Sequence, residues 1–121
     1  MEAEVAKRLL DALEAARRVR AFTGTSNFRQ FAESELVRSA VERQFEIVGE
    51  ALGKAAGVDP SLAEQMPELR QIVGLRNRLI HGYDSVDDEI IWDIVQTRIL
   101  PLIERLESLL QEFGFPTKVG E

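Results

Sequence analysis

Apolar residues recur at three- and four-residue steps near the beginning of the chain. The members of this stripe are Val5, Leu9, Ala12, Leu13, Ala16 and Val19. Because residues three and four apart share one face of an α-helix, the pattern predicts an amphipathic helix from about Glu2 to Ala21. Small and polar residues follow, so we predict a loop from Phe22 to Asn27.

A second stripe with the same period predicts a second long helix. Asn27 is a suitable N-cap for a short turn through Phe31, after which the stripe begins. Its members are Val37, Ala40, Val41, Phe45, Val48 and Leu52. Gly57 favours a helix end nearby. Gly49 lies inside this helix, where glycine weakens the backbone, so we expect another helix to pack closely there.

Two prolines organise the next part of the chain. Asp59-Pro60 favours a helix start, because the side chain of Asp59 can cap the helix and the N–H that proline lacks is not needed in the first turn. Pro67 then interrupts the helix, so we predict one short turn before Met66 and a new helix from about Pro67 to Ile80. Gly82 supplies a helix stop.

The last part of the chain predicts two more helical segments. Ser85-Val86-Asp87-Asp88 suits the start of a fourth helix, and Pro101 bends it or restarts it as a fifth segment. Their apolar positions are Ile90, Ile91, Ile94, Val95, Leu102, Leu106, Leu109 and Leu110. No alternating strand pattern and no internal repeat is visible. The sequence therefore predicts an all-α up-and-down bundle of four to five helices, with one domain over 1–113 and a short tail over 114–121.

The composition is that of an ordinary globular domain. The chain has 121 residues, of which 45% are hydrophobic and 30% charged, and it has no cysteine. The lack of cysteine rules out disulfides and thiol nucleophiles and fits a reducing compartment. The acidic start does not resemble a signal peptide, and no apolar run reaches the roughly 20 residues of a membrane span. We therefore expect a cytoplasmic protein.

The charge is acidic overall but unevenly distributed. A net charge of −6 argues against a general nucleic-acid binder, since such binding depends on neutralising phosphates. Residues 69–83 nevertheless contain three arginines, Arg70, Arg76 and Arg78, and no acid. The next ten residues, 84–93, contain five acids and no base. The sequence leaves open a small basic site bordered by an acidic helix start.

Several kinds of site are disfavoured by the sequence. No glycine-rich phosphate loop follows a strand, and one histidine without cysteine does not form a usual zinc site. Glu46 and Glu50 are one helical turn apart, a spacing typical of a solvated face. The run Arg17-Arg18-Val19-Arg20 near a helix end favours the helix dipole, and we interpret it as surface charge.

The only histidine and the only tyrosine lie two residues apart, in the octapeptide from Arg76 to Tyr83. One interpretation is structural: Leu79 and Ile80 enter the core, and His81 and Tyr83 close a helix end. The other is chemical, because the same segment brings together an imidazole, a phenol, two guanidiniums and an amide.

Helical geometry decides which of these groups can meet. Asn77 and His81 are four residues apart and share a helix face. Arg76 is five residues from His81, about 140° around the helix. The two therefore converge only if the arginine swings across or if a second subunit completes the site.

These residues carry a resemblance to a known family. Arg76-x4-His81-x-Tyr83, with Asn77 after the arginine, resembles the Arg-x4-6-His signature of HEPN domains, specifically the HepT-like toxins of MntA/HepT toxin–antitoxin systems. The similarity extends to Ile47-Val48-Gly49-Glu50-Ala51, to Ile72-Val73-Gly74-Leu75 and to 86–95 with its tryptophan. One position departs from it: Arg70 stands where many relatives carry tryptophan, which affects local packing rather than chemistry.

The resemblance implies a metal-independent endoribonuclease that needs no cofactor and works as a homodimer, which could assemble further. It also implies an MntA-like nucleotidyltransferase antitoxin that transfers AMP to Tyr83. On this basis we hypothesise that Arg76, Asn77 and His81 act on RNA. Glu50 and Arg78 are candidate supporting residues.

Two alternatives belong to other functional classes. The chain could be a HEPN module that binds a nucleotide or RNA without cleaving it. It could also be a structural subunit that holds a partner nucleotidyltransferase. Incubation with labelled RNA separates turnover from binding.

Overall fold

The computed structural model describes residues 2–81 and 86–115. Gly82, Tyr83 and Ser85, which carry the predicted helix stop, modification site and helix start, lie outside the described residues, as does the predicted tail beyond Phe115. Every regular element in the described part is a helix, which confirms the all-α prediction. The helices are α1 (Ala3–Thr23), α2 (Phe28–Glu33), α3 (Glu35–Val58), α4 (Leu62–Gln65), α5 (Leu69–His81), α6 (Asp88–Thr97) and α7 (Ile99–Glu112).

Helix α3 lies at the centre of the bundle, with α1 and α5 both packed against it. Helix α7 packs on α1, and α6 packs on α7 and α2. The predicted apolar stripe of α1 is buried along its whole length, and Phe45 and Leu52 of α3 are fully buried beside it. Burial of these stripes is the main favourable contribution to folding. Five longer helices thus match the predicted four to five, and α2 and α4 are short additions.

The predicted cap at Asn27 is confirmed. Its Oδ1 accepts a hydrogen bond from the backbone N–H of Gln30, and the Gln30 side chain accepts one from the backbone N–H of Asn27, both at 2.9 Å. This reciprocal pair satisfies two backbone donors at the start of α2. Ser34 caps α3 in a similar way, because its Oγ accepts from the backbone N–H of Val37 at 3.1 Å.

Two predicted helix starts are displaced along the chain. Asp59 does not cap a helix beginning at Pro60; its carboxylate accepts hydrogen bonds from the backbone N–H and the hydroxyl of Ser61, and α4 begins only at Leu62. The following helix, α5, begins at Leu69 rather than Pro67. Met66 lies outside the α-helical region (φ −129°, ψ 85°), as expected for a residue before proline.

Pro101 restarts the helix, as predicted, but the break lies earlier. Helix α6 ends at Thr97, and Pro101 occupies the first turn of α7. Proline cannot donate to the carbonyl four residues before it, and its ring collides with that carbonyl. The residue four positions before Pro101 is Thr97, so the continuous helix ends there.

Two surface predictions need correction. Arg17 is not simple surface charge: its Nη2 lies 2.7 Å from Glu107 Oε2, an ion pair that joins α1 to α7. Ile90 belongs to an apolar run but is 40% exposed, since α6 buries Ile91 and Ile94 instead. Among the described helices, none combines the length and the apolar character needed to cross a membrane.

Candidate functional site on α5

Helix α5 buries one side and presents the candidate residues on the other. Leu69, Ile72 and Leu75 face the core. Asn77, His81 and their neighbour Arg78 are exposed on the last two turns. Because the buried residues hold the helix in place, the polar groups are displayed on a fixed backbone.

The chemical motif does not sit in the core, as one interpretation of the octapeptide required. Ile80 is 46% exposed, so the prediction that it enters the core is wrong. Leu79 is only partly buried against the core. His81 is the last residue of α5 and is exposed. The last turn of α5 is therefore largely exposed, whereas the predicted role of Tyr83 in closing the helix end lies outside the described residues.

Gly49 of α3 fixes the position of Arg76. A Cβ atom at Gly49 would lie 2.2 Å from the Cβ of Arg76, 2.8 Å from its Cγ and 3.1 Å from the carbonyl oxygen of Ile72. No side chain fits in that space, so only glycine allows α5 to approach α3 this closely. The predicted close packing at Gly49 is confirmed, and it clamps the aliphatic stem of Arg76 between the two helices.

The guanidinium of Arg76 turns toward the side of α5 that carries His81. Its Nη1 donates a hydrogen bond to Asn77 Oδ1 at 3.0 Å. Asn77 shares a helix face with His81. This contact therefore brings the guanidinium part of the way across the angle of about 140° predicted between Arg76 and His81. Arg76 Nε is buried and has no acceptor among the residues that the structure describes. The arginine therefore keeps a donor for which the described part of the bundle supplies no partner.

Glu50 lies on the neighbouring helix, with its carboxylate turned to Lys54. The Lys54 Nζ is 3.2 Å from Glu50 Oε1. This hydrogen bond and the ammonium charge hold the pKa of Glu50 below its usual value, and Arg76 adds a weaker influence of the same sign. Arg76 thus acts on Glu50 through its charge, and a role for Glu50 in orienting Arg76 stays a prediction.

Acidic residues near the start of α6 have structural partners. Asp87 caps α6 by accepting from the backbone N–H of Glu89 at 2.8 Å. Asp88 pairs with Arg38 of α3 at 3.8 Å. Burial raises the pKa of Glu42 on α3, and Asp88 raises it further. Arg38 and Glu42 could not be identified from the sequence, because their proximity to Asp88 of α6 depends on the packing of helices far apart in the chain.

The arrangement supplies groups for acid–base chemistry and anion binding rather than a cluster of metal ligands. Within residues 2–81 and 86–115, no three histidine, cysteine, aspartate or glutamate side chains are grouped so that they could hold a metal ion. An imidazole, an amide and a guanidinium on one exposed helix face can transfer a proton and bind a phosphate.

Comparison with known proteins decides the family. The model of the family described as "Ribonuclease HepT-like" matches residues 12–109. The chain belongs to the HepT-like ribonuclease family. This confirms the resemblance predicted from the octapeptide. The match includes both Gly49 and the segment from Arg76 to Tyr83.

Individual relatives agree with the HepT-like assignment. A Methanocaldococcus jannaschii protein provisionally named an RNase is 34% identical over 101 residues, covering 82% of this chain and 90% of its own length. A Thermococcus cleftensis protein named probable ribonuclease HepT is 32% identical over 101 residues, covering 84% of this chain and 91% of its own length. No solved structure matches the chain with comparable significance.

Proposed function

We propose that this HepT-like chain is a metal-independent endoribonuclease and the toxin component of a type VII toxin–antitoxin system. The observation that carries the proposal is the contact between Arg76 and Asn77 on the exposed face that ends in His81. Membership of a family described as ribonucleases supports RNA as the substrate class.

Cleavage of RNA by its own 2′-hydroxyl requires three catalytic contributions. A base removes the proton from the 2′-oxygen, which attacks phosphorus; an acid protonates the departing 5′-oxygen; and positive charge stabilises the pentacovalent phosphorane. The products are a 2′,3′-cyclic phosphate and a 5′-hydroxyl. His81 can serve as base or acid, and Arg76 can hold the phosphate through its planar fork of donors.

A homodimer supplies the second acid–base group. Each chain has one histidine, whereas the reaction uses a base and an acid. A two-fold contact brings identical segments together, so His81 of each subunit can take one of the two roles. The half-exposed Ile80 beside His81 provides apolar surface for such a contact. Asn77 then orients the phosphate, and Arg78 and Glu50 support the charge balance around it.

The proposed regulation acts two residues beyond His81. We assign Tyr83 as the residue to which an MntA-like nucleotidyltransferase transfers AMP. The added group carries bulk and negative charge, which would repel the phosphates of RNA from Arg76. Neutralisation of the toxin follows from blocking the site rather than from unfolding the bundle.

A cleavage assay with variants tests the enzymatic part. Purified protein is incubated with 5′-labelled single-stranded RNA in the presence of EDTA. We expect cleavage by the wild type, and a loss of at least about 100-fold in His81→Ala and Arg76→Ala because each removes a group acting in the transition state. Arg29→Ala, an exposed arginine of α2, is the control and should retain activity. Equal cleavage by all variants would contradict the assigned site, and RNA binding without cleavage would favour the non-catalytic module.

A separate experiment tests the modification. The partner nucleotidyltransferase is incubated with ATP and either the wild type or Tyr83→Phe, and the products are analysed by mass spectrometry. We expect AMP on the wild type only, with loss of RNA cleavage in the modified protein. Addition of AMP at another residue, or full cleavage after modification at Tyr83, would refute this regulation.

A further inference from the structure

Helix α5 exposes a continuous row of residues that extends well beyond the catalytic motif. Each residue of an α-helix advances by about 100°, so Arg70, Gly74, Asn77 and His81 lie within an arc of about 60°. All four are exposed. We call this row the α5 stripe. It begins at the first turn of the helix and ends at the candidate catalytic histidine.

The charge of α5 favours an anion along this stripe. The helix contains Arg70, Arg76 and Arg78 and no aspartate or glutamate. The chain as a whole has a net charge of −6. The local excess of guanidiniums, in a segment without acids, favours phosphate binding at this surface even though the protein is acidic overall.

No packing contact with the described residues explains Gly74. A Cβ at Gly74 would meet no atom of residues 2–81 and 86–115 within 4 Å, whereas a Cβ at Gly49 would collide with Arg76. Glycine inside a helix costs about 0.5–1 kcal/mol relative to alanine, so the fold alone would favour a larger residue at this open position. An exposed glycine between Arg70 and Asn77 does, however, let another molecule approach the helix backbone closely.

A groove opens beside the first residue of the stripe. Its volume is about 400 Å³. The lining residues are Ala63, Met66, Pro67, Leu69, Arg70 and Val73. All of these except Arg70 are apolar or small. A nucleotide whose phosphate contacts Arg70 therefore has room for its base on an adjacent apolar surface.

We infer that the α5 stripe is the path of the RNA strand on this protein. Arg70 binds a phosphate remote from the scissile bond, and Gly74 allows the sugar–phosphate backbone to pass close to the helix. The eleven helical steps from Arg70 to His81 span about 16 Å, equivalent to about five stacked nucleotides at about 3.4 Å each. The inference rests on the proposed function for its ligand class, single-stranded RNA.

The first arm of the test measures binding without cleavage. The probe is a fluorescein-labelled 16-nucleotide RNA of mixed sequence with 2′-O-methyl groups, which block attack by the 2′-oxygen. Arg70→Ala should weaken binding about fivefold and reduce the slope of log K against log salt by about 0.7, the value for one lost phosphate contact. Arg20→Ala on α1 makes the same change in net charge at another exposed arginine and should leave both nearly unchanged.

The second arm uses glycines as matched controls. Gly74→Ala should raise the melting temperature by roughly 3–5 °C, because alanine favours the helix, and yet weaken RNA binding about threefold or more. Gly53→Ala on α3 is the control, since a Cβ there also meets nothing within 4 Å. It should raise the melting temperature and leave binding unchanged. Opposite changes in stability and affinity cannot arise from unfolding.

The outcomes separate this inference from the proposed function. If the wild type cleaves RNA but Arg70→Ala and Gly74→Ala bind the probe as their controls do, the inference that RNA follows the α5 stripe is overturned. The enzymatic proposal then stands. If the wild type never cleaves RNA but both variants weaken binding, the stripe stands and the enzymatic proposal fails. Absence of probe binding by the wild type overturns the stripe.

Discussion

The two halves of α5 differ in the contacts that hold them in the fold. Leu69, Ile72 and Leu75 bury the first half in the core. Two side-chain contacts from the α7 side also hold its beginning: Arg105 Nε lies 3.2 Å from Glu68 Oε1, and Arg98 Nε lies 3.0 Å from Gln71 Oε1. The second half, from Arg76 to His81, has exposed polar groups and a half-exposed isoleucine.

This difference shows which residues the fold requires. Apolar groups of the first half gain stability from burial, about 25 cal/mol per Å² of apolar surface. Asn77 and His81 bury little surface, so the fold would tolerate many other residue types at these two positions. The buried face of α5 is therefore structural, mainly at its beginning, and the exposed face carries the candidate catalytic groups at its end.

The largest expected effect comes from the structural half. Ile72→Ala should lower the free energy of unfolding by about 2–5 kcal/mol, since Ile72 is fully buried and truncation leaves a cavity. Asn77→Ala in the exposed half should change it by less than about 0.5 kcal/mol while reducing RNA cleavage. Urea unfolding measures both. Similar losses of stability in the two variants would show that the second half is also structural.

Substitution of Gly49 probes the junction between the two halves. Gly49→Ala should lower the free energy of unfolding by about 1–3 kcal/mol, because the added methyl group collides with Arg76 and forces α5 away from α3. Cleavage should fall even well below the melting temperature, since Arg76 is displaced. Gly53 lies in the same helix but has open space around it. Gly53→Ala should instead raise the free energy of unfolding by about 0.5–1 kcal/mol. A Gly49→Ala protein with normal stability and full activity would contradict the clamp.

The sequence predicted these features unequally. The buried stripe of α1, the cap at Asn27 and the close packing at Gly49 follow from local patterns, because spacing and residue type determine them. The ion pair between Arg17 and Glu107 does not, since it joins residues 90 positions apart. The position of the Arg76 side chain also depends on α3, because its Cβ and Cγ pack where Gly49 leaves space.

Loosening the attachment of the first half should have a moderate effect. Glu68 is almost fully buried, and its carboxylate accepts from Arg105 of α7. Glu68→Gln keeps the shape and removes the charge, so we expect a loss of about 1 kcal/mol. Arg29→Gln affects an exposed ion pair within α2. It should lower the free energy of unfolding by at most a few tenths of the loss expected for Glu68→Gln. Thermal unfolding measures both, and an equal effect of the two substitutions would show that the contact with α7 adds nothing.

The smallest expected effect concerns Glu42, which borders α6 rather than α5. Burial raises the pKa of Glu42, the charge of Asp88 adds to this, and Arg38 opposes it. A group with a raised pKa in the folded state stabilises the fold below its unfolded pKa, and this contribution disappears as the pH rises through the folded value.

Glu42→Gln should therefore raise the melting temperature at pH 7 by about 1–2 °C, because it removes a partly buried carboxylate that faces Asp88. The difference from the wild type should shrink as the pH falls through the raised pKa of Glu42, because the native carboxyl then becomes neutral as well. Glu33→Gln, at an exposed position of α2, is the control. A variant less stable than the wild type at pH 7 would mean that the attraction of Arg38 outweighs burial and that Glu42 stabilises the contact between α3 and α6.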